Sequence, residues 1–158
     1  MQTFAISEEH YSVAEQLGEP FIEGSGTFSG PKYTQARKYH VDNGIPVASY
    51  SCLSGGFMTG RITRESFAAN PDSVNPSVRR AYCYDVNFTR LERTQQLARE
   101  KGLTIPQVAM AYTMCGDMDV FPIIGALNHE ELLSSISALD VALTKKECDW
   151  IDLTSDER

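Results

Sequence analysis

The sequence predicts an α/β fold with parallel strands, and three observations point there. Ile45 to Ala48 and Val120 to Ile124 are short apolar runs without polar alternation, the pattern of strands covered on both faces. Each ends in a glycine-containing loop, Ser51 to Gly56 after the first and Gly125 to Asn128 after the second. Between and behind them lie segments with helical periodicity and marked start signals, so the order strand, helix, strand, helices, strand, helix calls for parallel crossover connections.

In chain order, Thr3 to Ile6 is the first expected strand, followed by the polar run Ser7-Glu8-Glu9-His10. Leu17 to Gly30 holds four glycines, two serines and one proline with Phe21 and Phe28 interspersed, the composition of an ordered loop. A helix follows, with Ser29 or Gly30 as its cap, Pro31 in the first turn and Gly44 beyond its end. The strand Ile45 to Ala48 then feeds a loop in which Gly55 and Gly56 leave the backbone open to close approach by a phosphate. Spacing alone fits an ordinary glycine-rich turn equally well.

Arg61 to Ala81 reads as two short helical pieces broken at Asn70-Pro71 and Asn75-Pro76. Phe88 to Lys101 carries an apolar stripe closed by Gly102. Thr104 and Gln107 form a capping box for the helix bearing Val108, Ala111, Tyr112 and Cys115. Pro122 argues against full ladder pairing in the strand Val120 to Ile124. Asn128 with Glu131 and Thr144 with Glu147 repeat the capping pattern. The first of these opens a helix whose buried face is expected to be Leu132, Leu133, Ile136 and Leu139, and the second opens a last helix through Trp150 and Ile151.

With 158 residues the chain suits a single domain spanning 1–158, long enough to bury roughly 68–70% of its unfolded surface. Its net charge of −7 and 14 scattered basic residues argue against a nucleic-acid surface. The absence of a long apolar run or a signal-like start predicts no membrane contact and a cytoplasmic protein. Cys52, Cys83, Cys115 and Cys148 lack metal-ligand spacing, and so do His10, His40 and His129. No metal site is expected, the thiols are expected to be reduced, and each histidine reads as a surface or capping residue.

The run Pro46-Val47-Ala48-Ser49-Tyr50-Ser51-Cys52-Leu53-Ser54-Gly55-Gly56-Phe57-Met58-Thr59-Gly60-Arg61 resembles the seventh-strand motif of aldo/keto reductases. Further matches follow in order at Leu97 to Thr104, Gln107 to Tyr112, Pro122 to Ala126 and Leu143-Thr144. The resemblance covers most of the chain but only the C-terminal half of that family's (β/α)8 barrel. It implies a partial TIM-type (β/α) barrel of about three β/α units plus extra helices. In the family, the catalytic aspartate, tyrosine, lysine and histidine precede this region, so the resemblance assigns no catalytic residue here, and neither Tyr11, Tyr50 nor His10 takes the proton donor's place.

What the resemblance does imply is cofactor contact. Tyr50 matches the aromatic that stacks on the nicotinamide, and His10 falls where many members place a glutamine that holds the carboxamide. Ser51, Leu53 and Gly56 match the pyrophosphate loop, with Thr59 and Arg61 beside it. Gly125, Ala126 and Leu127 match the eighth-strand loop at the adenosine phosphate, and Glu131, Ser134 and Ser135 the adenine side. The segment Gly125 to Glu131 also reads as a simple capped helix start. Cys52 stands for a frequent proline, Leu127 for a frequent arginine or serine, and Ser134-Ser135 for glutamate-asparagine. The implied cofactor is NADPH, with NADH the alternative because the arginine is missing.

The implied function is an oxidoreductase portion that carries the NAD(P)H-binding half and is inactive alone; the alternative is a non-catalytic half-barrel that binds or assembles. Expected partners are NAD(P)H and either further copies or a complementary N-terminal half-barrel, since three strands leave sheet edges bare.

Overall fold

The computed structural model describes residues 5–158. Three parallel strands, β1 (Ser7–His10), β2 (Val47–Tyr50) and β3 (Val120–Pro122), form one sheet in the order β1-β2-β3. Thr3 and Phe4, on which the expected first strand partly rests, lie outside the described residues, among which pairing begins at Ser7. Ser7 to His10 aligns with Val47 to Tyr50 residue by residue. A Ser-Glu-Glu-His strand has no intrinsic β preference, so its partner β2 and the chain's tertiary setting decide its conformation.

The connection from β1 to β2 begins as an ordered loop. Phe28 N–H donates to the His10 carbonyl at 2.7 Å and Leu17 N–H to the Ala81 carbonyl at 3.1 Å. Helix α1 (Thr34–Asp42) follows a 3-10 turn at Pro31–Tyr33, and Gly44 turns the chain with φ 58°. Between β2 and β3 lie α2 (Arg64–Ala69), α3 (Pro76–Tyr82), α4 (Asp85–Lys101) and α5 (Ile105–Met114). The expected breaks at Asn70-Pro71 and Asn75-Pro76 fall between the short helices. Gly102 closes α4 in the left-handed conformation, and the Thr104–Gln107 box opens α5 with both reciprocal hydrogen bonds formed.

After β3, α6 (His129–Ser137) and α7 (Lys145–Ile151) complete the chain. Thr144 and Glu147 form the expected box, but Asn128 and Glu131 form only half of one. Asn128 accepts from Glu131 N–H at 2.9 Å, while the Glu131 carboxylate passes Asn128 and takes Leu127 N–H at 3.0 Å. The Arg61 guanidinium, 3.2 Å from the other carboxylate oxygen, fixes the side chain in this position.

The core lies on one face of the sheet. Val47, fully buried, joins Val13, Phe57, Phe88, Leu91, Val108, Tyr112 and Ile151 in a single cluster, and a smaller one unites Cys52, Met110 and Ala138. On the opposite face the registered row Glu8, Ala48, Phe121 is open, with Phe121 60% exposed. The expectation for α6 is overturned. Leu132, Leu133, Ile136 and Leu139 are exposed, Leu139 to 69%, while Ser135 and Ala138 face inward. Small side chains allow α6 and the turn after it to lie close against Met110 of α5, which leaves the bulky stripe outward.

Candidate cofactor-binding surface

The carboxyl ends of the three strands and the loops beyond them gather most of the sequence-predicted residues. His10 and Tyr50 are register partners, and their rings lie 6.0 Å apart at 57°. Tyr50 is half-buried and its hydroxyl donates to the Gly26 carbonyl at 3.0 Å, so the ring is held from its far end. His10 differs from a surface or capping histidine, being fully buried. Its Nδ1 lies 2.9 Å from Thr27 Oγ1, and its Nε2 lies 3.0 Å from the Tyr82 hydroxyl and 3.2 Å from Ser12 Oγ. Ser54 Oγ donates to Ser12 Oγ at 2.9 Å, linking the network to the loop after β2. Burial lowers the His10 pKa to about 3, so the ring is neutral and any influence on a ligand passes through its neighbours.

The loop from Ser51 to Gly60 winds through repeated left-handed residues, with φ of 51° at Ser51, 54° at Ser54, 61° at Gly55, 93° at Gly56 and 80° at Gly60. Ser51 and Ser54 adopt this conformation without being glycine, a local cost that functional loops often carry. A side chain built at Gly56 would meet nothing within 4 Å, whereas one at Gly55 would press on Phe21 at 2.8 Å. The backbone at Gly56 therefore faces open space, as it must to receive a phosphate, while Gly55 is required by packing. Leu53 is half-buried against both core clusters. The Thr59 hydroxyl donates to the Gly56 carbonyl at 2.7 Å and tightens the turn.

The second loop, Gly125 to Leu127, is exposed, and a side chain at Gly125 would also meet nothing within 4 Å. Arg61 and Glu131, 70 positions apart, join the two loops through their ion pair. The Leu127 N–H first and Arg61 second hold the Glu131 carboxyl below the usual carboxylate range. Ser134 remains half-exposed on α6, but Ser135 is turned inward with its hydroxyl on the Glu131 carbonyl at 2.9 Å. The structure thus brings together Tyr50 with His10 and Arg61 with Glu131 and Leu127, and it places Ser135 away from the open surface.

Sequence reasoning missed a charged group buried in the core. Arg90, 2% exposed, meets the carboxylates of Glu15 and Asp152, the latter at 3.7 Å. Its place on the buried face of α4, four positions before Thr94 and seven before Leu97, is the signal that marks it. Two cavities, of about 380 Å³ beside Tyr11, Arg37 and Cys115 and about 280 Å³ beside Glu9, Gln16 and Thr27, touch none of the expected cofactor residues. Among the described residues no cluster of three or more His, Cys, Asp or Glu is placed to hold a metal ion, and no helix is long and apolar enough to cross a membrane.

Comparison with known proteins bears on the family and the fold. Over 114 residues the chain is 28% identical to a probable pyridoxal reductase 2 of Schizosaccharomyces pombe, covering 65% of this chain and 33% of that protein. It is 30% identical over 103 residues to an NADH-specific methylglyoxal reductase of Escherichia coli, covering 65% of this chain and 31% of that protein. The chain spans about a third of the length of these curated relatives. The crystal structure of the thermostable aldo-keto reductase Tm1743 with the inhibitor epalrestat superposes with a TM-score of 0.63 at 14% identity, over 98% of this chain and 41% of that one. The fold is accordingly part of a TIM-type barrel. The Aldo/keto reductase family profile matches residues 31–155, and the chain belongs to that family.

Proposed function

We propose that this chain is the NAD(P)H-binding portion of an aldo/keto reductase-type oxidoreductase. The observation that carries this reading is the joining of the loop after β2, with its open backbone at Gly56, to the start of α6 by the Arg61–Glu131 pair, beyond the carboxyl ends of parallel strands, where ligands of such folds bind. The open space at Gly56 and Gly125 suits a pyrophosphate and an adenosine. Tyr50 would hold the nicotinamide ring, Ser51, Leu53, Gly56 and Thr59 would cradle the phosphates, and Arg61, Gly125, Ala126, Leu127, Glu131 and Ser134 would border the adenosine. His10 acts beneath Tyr50 as a buried positioning group, and Ser135 acts through its hydrogen bond to the α6 backbone. The bound cofactor supplies hydride, and this chain's residues bind and orient it.

Titration with NADPH and NADH by isothermal calorimetry tests the reading. Tyr50→Ala is expected to weaken binding roughly 5- to 150-fold, as loss of an aromatic stacking platform of about 1–3 kcal/mol implies. Binding indifferent to Tyr50 would refute the stacking role. No side chain on this surface is assigned as proton donor to a carbonyl, so the purified chain is expected to show no carbonyl reduction with either cofactor.

A second reading, a non-catalytic half-barrel that assembles, is favoured by the bare sheet face and the stripe Leu132, Leu133, Ile136, Leu139. It predicts a complex, either of copies of this chain or with a complementary N-terminal half-barrel. Light scattering is expected to give a mass above that of the 17.5 kDa monomer; a monodisperse monomer with a cooperative melt would count against assembly of copies.

A further inference from the structure

We propose that Cys115 and Cys148 form a peroxide-sensitive thiol pair that closes to an intramolecular disulfide and fastens the end of α5 to the first turn of α7. The inference is independent of the dinucleotide-binding reading. Both cysteines are free thiols in the structure. Cys115 is the C-cap of α5, and its thiol donates to the Leu143 carbonyl at 3.3 Å. Leu143 immediately precedes Thr144, the N-cap of α7, and Cys148 is the fourth residue of that helix, its N–H bonded to the Thr144 carbonyl at 3.0 Å. Side chains in the positions of Leu143 and Cys148 pack against each other across a helix start. Cys115 and Leu143 accordingly rest against the core cluster that contains Cys148, so the residue that holds the Cys115 thiol is also the neighbour of the second cysteine.

The pair divides into an open and a sheltered member. Cys115 is half-buried and lines the cavity of about 380 Å³ beside Tyr11 and Arg37, where a small peroxide can reach it. Cys148 is 8% exposed; burial first, and then the Cys115 thiol beside it, push its own thiol up, so it waits protonated while Cys115 meets the oxidant. The Cys115 thiolate attacks one oxygen of hydrogen peroxide. An S–O bond forms, the O–O bond breaks, and the departing hydroxide is protonated to water. The Cys148 sulfur then attacks the Cys115 sulfur as its proton passes to the departing hydroxyl: the S–S bond forms, the S–O bond breaks, and a second water leaves. The two thiols give up two electrons and the peroxide is reduced to water. The bridge closes the loop that carries β3, Gly125 to Leu127 and α6, and so restrains that part of the chain. Cys52, in the smaller core cluster with its thiol on the Ser49 carbonyl at 3.3 Å, and Cys83, the C-cap of α3, serve as internal references.

Treatment of the full, reduced chain with hydrogen peroxide, followed by mass spectrometry without reductant, tests the proposal. The mass of the monomer is expected to fall by about 2 Da. Of the four cysteines, Cys52 and Cys83 are expected to remain open to alkylation after unfolding, and trypsin is expected to release the peptide 102–145 bridged to 147–158. Dithiothreitol should reverse each change. Cys148→Ala is expected to arrest Cys115 at the sulfenic acid, which dimedone captures, and Cys115→Ala to leave Cys148 unmodified, with thermal melts verifying that both variants fold. The bridged chain is expected to melt about 5 °C or more above the reduced one. Because the peptide map is made on the unmodified chain, it decides the matter whether or not the variants fold. Failure of the bridge between 102–145 and 147–158 to form, or its appearance only between two chains, overturns the proposal. Bridges that involve Cys52 or Cys83 in equal yield overturn it as well, and a melting midpoint unchanged by the bridge overturns the fastening role.

Discussion

Replacing Arg90 with alanine is expected to destabilise the chain by about 3–5 kcal/mol, the cost of breaking a buried ion pair from one side. Arg90 is 2% exposed and its guanidinium is shared among parts of the chain far apart in sequence. It pairs with Glu15, reaches Asp152 Oδ1 at 3.7 Å and donates to the Asp152 carbonyl at 3.3 Å. Without it two carboxylates remain in a poorly solvated pocket, and burial already raises the Asp152 pKa against the pull of Arg90. The loss should shrink under mildly acid conditions, where the Asp152 carboxyl, its pKa raised by burial, can take up a proton. Combining Arg90→Met with Glu15→Gln and Asp152→Asn should recover much of the stability, because the penalty is unpaired charge more than lost volume. Urea unfolding at neutral pH measures both effects. A loss below about 1 kcal/mol for the alanine variant would show that Arg90 is not the organising charge of this pocket.

Acidification is expected to destabilise the chain through His10. Its ring has a pKa of about 3 in the native state against an ordinary value of 6.5 when exposed. Between those values the unfolded chain binds a proton that the native chain refuses, so the stability present above pH 6.5 is lost as pH falls toward 3. At about 1.4 kcal/mol per pH unit, the descent from pH 7 to 4.5 removes about 2–3 kcal/mol. Other groups titrate in this window, and Asp152, whose pKa is raised, works in the opposite sense. The clean measurement is therefore the difference between the parent and His10→Gln, which cannot titrate. The variant should be the less stable at pH 7, having lost hydrogen bonds to Thr27 and Tyr82, and the gap should close as the pH drops. A gap independent of pH would show that the histidine is not held neutral by the fold.

What could be read from the sequence was local. Thr104 with Gln107 and Thr144 with Glu147 lie within one helical turn, and such boxes depend on little else. Gly44 and Gly102 likewise end helices on their own conformational account. What escaped depended on distant partners. β1 is a strand because β2 lies beside it, and nothing in Ser-Glu-Glu-His announces that. Periodicity correctly grouped Leu132, Leu133, Ile136 and Leu139, but it identifies residues that share a face and not what covers that face. Polar His10 carried no label of burial, since it owes it to hydrogen-bond partners well removed in sequence, and Arg90 carried only its place on the apolar face of α4. The Arg61–Glu131 contact is of the same kind, and it altered a capping box that each residue type alone would have completed.

The uncovered flank of β3 and α6 also bears on how the molecule behaves among its own kind. Apolar rows and a bare strand edge attract one another at short range, while a charge of −7 on each chain keeps copies apart at longer range. The balance belongs to the solvent as much as to the protein. Added electrolyte shortens the reach of the repulsion to about 8 Å at physiological ionic strength, and sulfate or phosphate further favours apolar burial. Colloidal stability is thus written into the same leucines that the fold leaves outside, and the ionic composition of the medium sets whether those leucines remain solvated.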